Sequence, residues 1–227
     1  MASLKVYADR KSQPSRAILI FCKFNGIQFE EVKMDLFKGE HLTPEYEAIN
    51  PMKKVPAIAH GDFTLFESHA ILMYLACSYN VSEHWYPTDL RTRAKLHAIM
   101  DWHHTNLRQG AAGYINTTVV APRLGKPANS AAAAECEQKL IASFSTIEKM
   151  WLADNASFLL GRDQPSIADL SLVCEIMQLE ILSKEERSRM IGPYKKIQKW
   201  VEDVKKATNP YFDEIHDIFA SSKQQQQ

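Results

Sequence analysis

The spacing of apolar residues changes character once along this chain, near Tyr79, and that change limits the folds open to it. Before it, strand-like and helix-like pieces alternate, the mark of an α/β unit. LKVYA (4–8) reads as a short strand. Ala17, Ile20, Phe21 and Phe24 then fall at i, i+3, i+4 and i+7, the spacing of an amphipathic helix, with Gly26 placed as its stop. FEEVKM (29–34) returns as a strand. PAIAH and FTLFE flank Gly61-Asp62, a two-residue connection suited to a hairpin of two antiparallel strands. Ser68 is a candidate N-cap for a helix that carries Ile71, Tyr74, Leu75 and Ser78 on one face. The order is β-α-β, a loop, then β-β-α.

Beyond Tyr79 no strand pattern recurs. Residues 80–90 (NVSEHWYPTDL) hold turn formers around Trp85-Tyr86-Pro87 and read as a linker partly packed by its aromatics. Leu96, Ile99, Met100, His103 and Leu107 share one helical face, and Leu140, Phe144, Ile147 and Trp151 share another. Ser166 and Asp169 have the Ser-x-x-acid spacing of a capping box ahead of a buried helix over 166–182. Ile197, Trp200, Val201 and Val204 line one side of a last helix, and the chain ends in a glutamine-rich tail expected to be disordered. The expected division is an α/β domain over 1–80, a linker over 81–90, an all-helical domain over 91–220 and a tail over 221–227. The fold class is α/β plus all-α.

Composition removes several functions. Lys plus Arg and Asp plus Glu both number 27, so no global field draws in nucleic acid or an anionic membrane. No stretch approaches the roughly 18 uninterrupted apolar residues of a membrane span, and MASLKVYADR lacks the apolar core of a signal peptide. The four cysteines, Cys22, Cys77, Cys136 and Cys174, are far apart and form no CxxC pair, which suits a reducing compartment. A soluble intracellular protein is expected.

Several residues stand where chemistry is possible, each beside a plainer reading. Ser12, just ahead of Pro14, either caps a helix or aims its hydroxyl at a ligand from the electropositive end of that helix. Glu67-Ser68 ends a strand and starts a helix, where free N–H groups suit an anion or simply a cap. His97, Asp101 and His104 lie at i, i+4 and i+7, but one such face with no second cluster is weak evidence for a metal, and none is expected.

Five motifs in order, SQPSRA after the first strand, GEHL (39–42), NPMKKVPAI (50–58), FESHAILMYL (66–75) and SIADLSL (166–172), resemble the theta class of the glutathione transferases, plant members above all. The similarity covers about residues 3–215. It implies a thioredoxin-like domain that binds glutathione, a helical domain that helps bind the electrophile, and a homodimer. Glutathione is the co-substrate, with no resident cofactor. By the same resemblance Ser12 donates a hydrogen bond to the glutathione sulfur and favours the thiolate, with Arg16 one turn on. Pro56 is expected to be cis, leaving the Val55 N–H and C=O to pair with the cysteinyl backbone of glutathione. Lys54 and His41 approach its glycyl carboxylate, and Glu67 and Ser68 hold its γ-glutamyl end.

Arg108, in the run DWHHTNLRQGAAGY (101–114), either stabilises charge developing on the electrophile or is an ordinary salt-bridged arginine. Thr105 stands where some relatives carry an acidic residue that reaches glutathione across the dimer. Ser166 and Asp169 are assigned to folding. The implied activities are conjugation of glutathione to electrophiles and glutathione-dependent reduction of organic hydroperoxides. Serine at position 12 argues against mixed-disulfide chemistry, and Cys22 reads as core. The alternative is a non-catalytic ligand-binding or assembly module of the same fold. The terminal KQQQQ is no peroxisomal address, so the cytosol is the expected compartment.

Overall fold

The computed structural model describes residues 3–152 and 156–219. The chain divides into two compact units, Met1–Tyr86 together with Thr208–Gln227, and Pro87–Ala207. The sequence reading instead ends the first domain at residue 80 and gives 91–220 to the second. The expected disordered tail lies outside the described residues.

The first unit is built on four strands, β1 (Leu4–Ala8), β2 (Glu30–Lys33), β3 (Ala57–His60) and β4 (Phe63–Phe66), in the order β2-β1-β3-β4. β1 and β2 are parallel because α1 (Gln13–Phe24) crosses between them. The other neighbours are antiparallel, and Gly61, at φ 65°, makes the tight β3–β4 turn. Two short helical pieces follow β2, a 3₁₀ turn at Glu40–Leu42 and α2 (Pro44–Glu47), and α3 (Ser68–Ser78) follows β4. This is a thioredoxin-like domain, with α1 packed on β1, α3 and the C-terminal helix of this unit, α11 (Tyr211–His216).

Two local expectations change. The spacing in α1 predicts one apolar face ending at Phe24, yet residues Ala17 to Cys22 are wholly buried in an unbroken run and Phe24 is exposed. The helix is enclosed on several sides, so every residue of its middle is core. In α3 the N-cap is Glu67, and Ser68 is the first helical residue rather than the cap. In the segment expected as a linker, Trp85 is buried, with the Phe21 and Phe24 rings at 5.4 and 5.6 Å.

The second unit contains helices α4 (Leu90–Thr105), α5 (Leu107–Ile115), α6 (Ala121–Arg123), α7 (Ser130–Thr146), α8 (Ile167–Ile176), α9 (Lys184–Ile191) and α10 (Lys195–Thr208, its last residue counting with the first unit). Among its described residues no named strand occurs, only an isolated bridge between Phe158 and Arg162. The segment 101–114 is not one helix. Asn106, at φ −121° and ψ −86°, separates α4 from α5, and its side-chain amide donates to Trp102 O at 2.9 Å. α5 and α7 touch closely: a Cβ at Gly110 would lie 2.5 Å from Leu140 N, so glycine is required there. No helix among the described residues is long and apolar enough to cross a membrane.

The capping box at α8 is present and does more than cap. Asp169 Oδ2 accepts from Ser166 N at 2.8 Å and Ser166 Oγ at 2.6 Å, while Oδ1 accepts from Leu159 N at 2.8 Å and Trp200 Nε1 at 2.9 Å. Burial pushes this carboxyl up, against the pull of those donors. One buried carboxylate thus ties α8 to α10 and to the turn before it. Asp169→Ala strands several buried donors and is expected to cost about 3 kcal/mol or more, against about 1 kcal/mol for Ser166→Ala. Urea unfolding of both variants checks the ratio.

Candidate functional site

The strand register decides which residues meet at one end of the sheet. Tyr7 pairs with Ala57, and Ala57 with Phe66. The segment after β1 (Asp9–Ser12), the pair before β3 (Val55–Pro56) and the pair after β4 (Glu67–Ser68) therefore emerge side by side, with strands spaced about 4.8 Å apart. β2 runs parallel to β1, so the segment leading to His41 leaves the sheet at the same end. Two hydrogen bonds fasten it there: Met34 N to Ala8 O at 2.9 Å and Leu36 N to Asp9 Oδ2 at 3.1 Å.

Ser12 is the N-cap residue of α1 by position, with extended φ −83° and ψ 124°, but its side chain makes no capping hydrogen bond. Its main chain is tied down instead, with N donating to Asp9 O at 2.9 Å and O accepting from Arg16 N at 3.1 Å. The residue is 8% exposed. A hydroxyl at the positive end of a twelve-residue helix is thus fixed in place and left uncommitted among the described residues.

Val55–Pro56 is cis, and the Val55 N–H and C=O meet no partner among the described residues. The carbonyl before them is anchored: Lys54 O accepts from Tyr46 Oη and Asn50 Nδ2, both at 2.7 Å. Burial pushes the Tyr46 phenol up to about 12, so it remains a donor at neutral pH. The Lys54 side chain is exposed. Glu67 adopts φ 69° and ψ 111°, a conformation that a side chain disfavours. The first N–H groups of α3 follow it without any capping side chain. His41 lies in the 3₁₀ turn, and its Nδ1 is buried without a hydrogen-bond partner among the described residues.

The seven expected residues of the first unit, Ser12, His41, Lys54, Val55, Pro56, Glu67 and Ser68, thus occupy three adjoining strand ends and the segment fastened to them. Three supporting residues were not anticipated. Asp9 staples the Ser12 loop, its Oδ1 also accepting from Lys11 N at 2.8 Å, while Tyr46 and Asn50 hold the loop before Pro56. Only Asn50 carried a local signal, the Asn-Pro turn in NPMKK, where its Oδ1 accepts from Met52 N at 2.9 Å. Burial pushes the Cys22 thiol up, in keeping with a core residue.

A scan against family descriptions matches residues 2–77 to the glutathione S-transferase N-terminal domain. Over 99% of its length the chain is 58% identical to glutathione S-transferase T1 of Arabidopsis thaliana, and it covers 92% of that relative. The chain belongs to the theta class of the glutathione transferases. The apo form of human glutathione S-transferase T1-1 superposes on this transferase with a TM-score of 0.88 at 36% identity, covering 98% of this chain and 91% of that one. A human theta-class transferase solved with the glutathione conjugate of 1-menaphthyl sulfate gives a TM-score of 0.85 at 31% identity, covering 99% and 91%.

In the second unit of this transferase, Arg108 sits on α5 and its Nη1 donates to Glu175 Oε2 at 2.8 Å. Glu175, on α8, is wholly buried, and His103 Nε2 lies 3.3 Å from the same oxygen. Sequence reasoning missed Glu175, because a glutamate inside an apolar run gives no sign of its partner 67 residues away. The pair makes Arg108 a salt-bridged arginine, although 36% of its side chain stays exposed. Burial pushes the Glu175 carboxyl up, but Arg108 and His103 outweigh it and hold the group below its ordinary value of 4.5. With the folded value below the unfolded one, this stabilisation is complete above pH 4.5 and is lost as pH falls through the lower folded value.

Arg108→Met leaves a buried carboxylate with less compensation and is expected to cost roughly 3 kcal/mol, most of it recovered in Arg108→Met/Glu175→Met. Urea unfolding at pH 7 of both variants checks this, and a single-variant cost under about 1 kcal/mol would remove the pair from the stability account.

Proposed function

We propose that the first unit binds glutathione and that the Ser12 hydroxyl donates a hydrogen bond to its sulfur. The hydroxyl and the dipole of α1 then lower the thiol pKa from about 8.5 toward neutrality and raise the thiolate fraction at pH 7 roughly tenfold. The proton leaves to solvent. The thiolate attacks an electrophilic carbon and expels its leaving group, or attacks the O–O bond of an organic hydroperoxide, releasing the alcohol and a glutathione sulfenic acid. A second glutathione reduces the latter to the disulfide and water. Holding the sulfur near its target supplies proximity.

The observation that carries this reading is the N-cap serine whose side chain does not cap. Val55 offers its N–H and C=O as one added strand. Glu67 and Ser68, with the uncapped start of α3, suit an α-amino acid end. His41 and Lys54 suit the opposite carboxylate. The bound conjugate in the human theta-class relative supports the same ligand here. Arg108, oriented by Glu175 and part-exposed, is proposed to meet charge developing on the electrophile. The protein is proposed to be a homodimer acting in the cytosol, with glutathione as co-substrate and no cofactor or metal of its own.

Glutathione-dependent turnover of cumene hydroperoxide and of an alkyl and aryl electrophile panel tests this with wild type and Ser12→Ala. The variant is expected to lose roughly 10²-fold in kcat while still binding glutathione. Absence of turnover with every substrate would overturn the enzymatic reading, and an unchanged kcat in Ser12→Ala would overturn the serine mechanism.

A further inference from the structure

The Ser12 loop is gripped from inside by one residue that the reaction does not consume. Arg16, the fourth residue of α1, is 0% exposed. Its Nη1 donates to Arg10 O at 3.0 Å and Lys11 O at 3.2 Å, the two carbonyls immediately before Ser12. Its guanidinium lies over the ring of Phe219, 5.0 Å from the centroid, and Phe219 is itself buried. Phe219 belongs to the C-terminal segment of the same unit, whose helix α11 is fastened to α1 through Glu214, 3.0 Å from Lys23 Nζ and 3.9 Å from Arg10 Nη2. Arg10 in turn makes a bidentate pair with Glu31 on β2, at 2.9 and 2.7 Å.

We propose that Arg16, backed by Phe219, is a positioning residue that sets the Ser12 hydroxyl for thiolate stabilisation, so that the C-terminal segment takes part in tuning the reaction. Four physical points carry it. Burying a guanidinium is costly, so its position reflects a tight set of partners. Two of those partners are consecutive carbonyls, and holding both fixes the backbone that aims Ser12. A guanidinium keeps its charge when buried, and positive charge near the start of α1 acts in the same sense as the helix dipole. The stacked ring gives the planar cation a surface that a lysine ammonium uses less well.

This inference rests on the Ser12 reading, and the experiment separates the two. The apparent pKa of the thiol of bound glutathione is measured by thiolate ultraviolet absorbance in wild type, Ser12→Ala, Arg16→Lys, Phe219→Ala and Phe219→Tyr, with urea unfolding of each. Arg16→Lys keeps a charge but loses the two-carbonyl grip. Phe219→Ala, close to the chain end, keeps the arginine and removes its backing.

Both are expected to raise the bound thiol's pKa by about half a unit to one unit, roughly a two- to sevenfold loss of thiolate at pH 7, with Phe219→Tyr close to wild type. If Ser12→Ala raises the pKa while Arg16→Lys and Phe219→Ala change only the unfolding midpoint, Arg16 is a fold-stabilising residue and this inference falls alone. If Ser12→Ala leaves the pKa at the wild-type value, the Ser12 reading fails and takes this inference with it.

Discussion

The pairing of Tyr7 with Ala57 and of Ala57 with Phe66 is the constraint on which the candidate site depends. It places the end of β1, the start of β3 and the end of β4 at one end of the sheet, so three chain segments present main-chain groups on neighbouring strands about 4.8 Å apart. A one-residue slip of β3 would send each of its side chains to the opposite face and move Val55 away from the Ser12 loop. Ala57 and Ile58, neighbours on opposite faces of the sheet and both 0% exposed, differ in size, so close packing on the two faces resists exchanging them. The paired strands therefore fix the geometry of the polar site at their ends.

The second unit solves a different problem, how to hold charge inside an apolar bundle. Asp169 does it with hydrogen bonds from four directions, joining α8 to α10. Glu175, further along α8, does it with the opposite charge of Arg108 and the nearby ring of His103. The two carboxylates shift in opposite senses for that reason: burial wins at Asp169, and Arg108 with the His103 contact wins at Glu175. Both lie on an apolar helix where an unpaired carboxylate would be prohibitive.

Much of this was legible from local pattern. Short strand-like runs and the Gly61-Asp62 connection located β1 to β4, and Ser166 with Asp169 announced a capping box that the structure contains. The motifs pointed to Ser12, Pro56, Glu67 and Ser68, and the register explains why they share one edge. What stayed hidden depends on long-range contact. Asp9 reaches Leu36, 27 residues on, and Arg108 reaches Glu175, 67 residues on; neither distance is encoded in a periodicity. The break at Asn106 was missed because Leu96 to Leu107 keep an unbroken helical spacing, which says nothing about φ and ψ at a polar residue between them. Helical spacing also implied an exposed face on α1, since periodicity cannot count how many neighbours enclose a helix.

At Ser12 the helix start and the proposed chemistry compete for one hydroxyl, and the uncapped geometry favours the ligand. A crystal structure of the protein with bound glutathione tests this most directly. The account predicts the glutathione sulfur within hydrogen-bonding distance of Ser12 Oγ, with that oxygen still making no bond to the first N–H groups of α1. A sulfur paired with another donor while Ser12 Oγ turns back to cap α1 would contradict it.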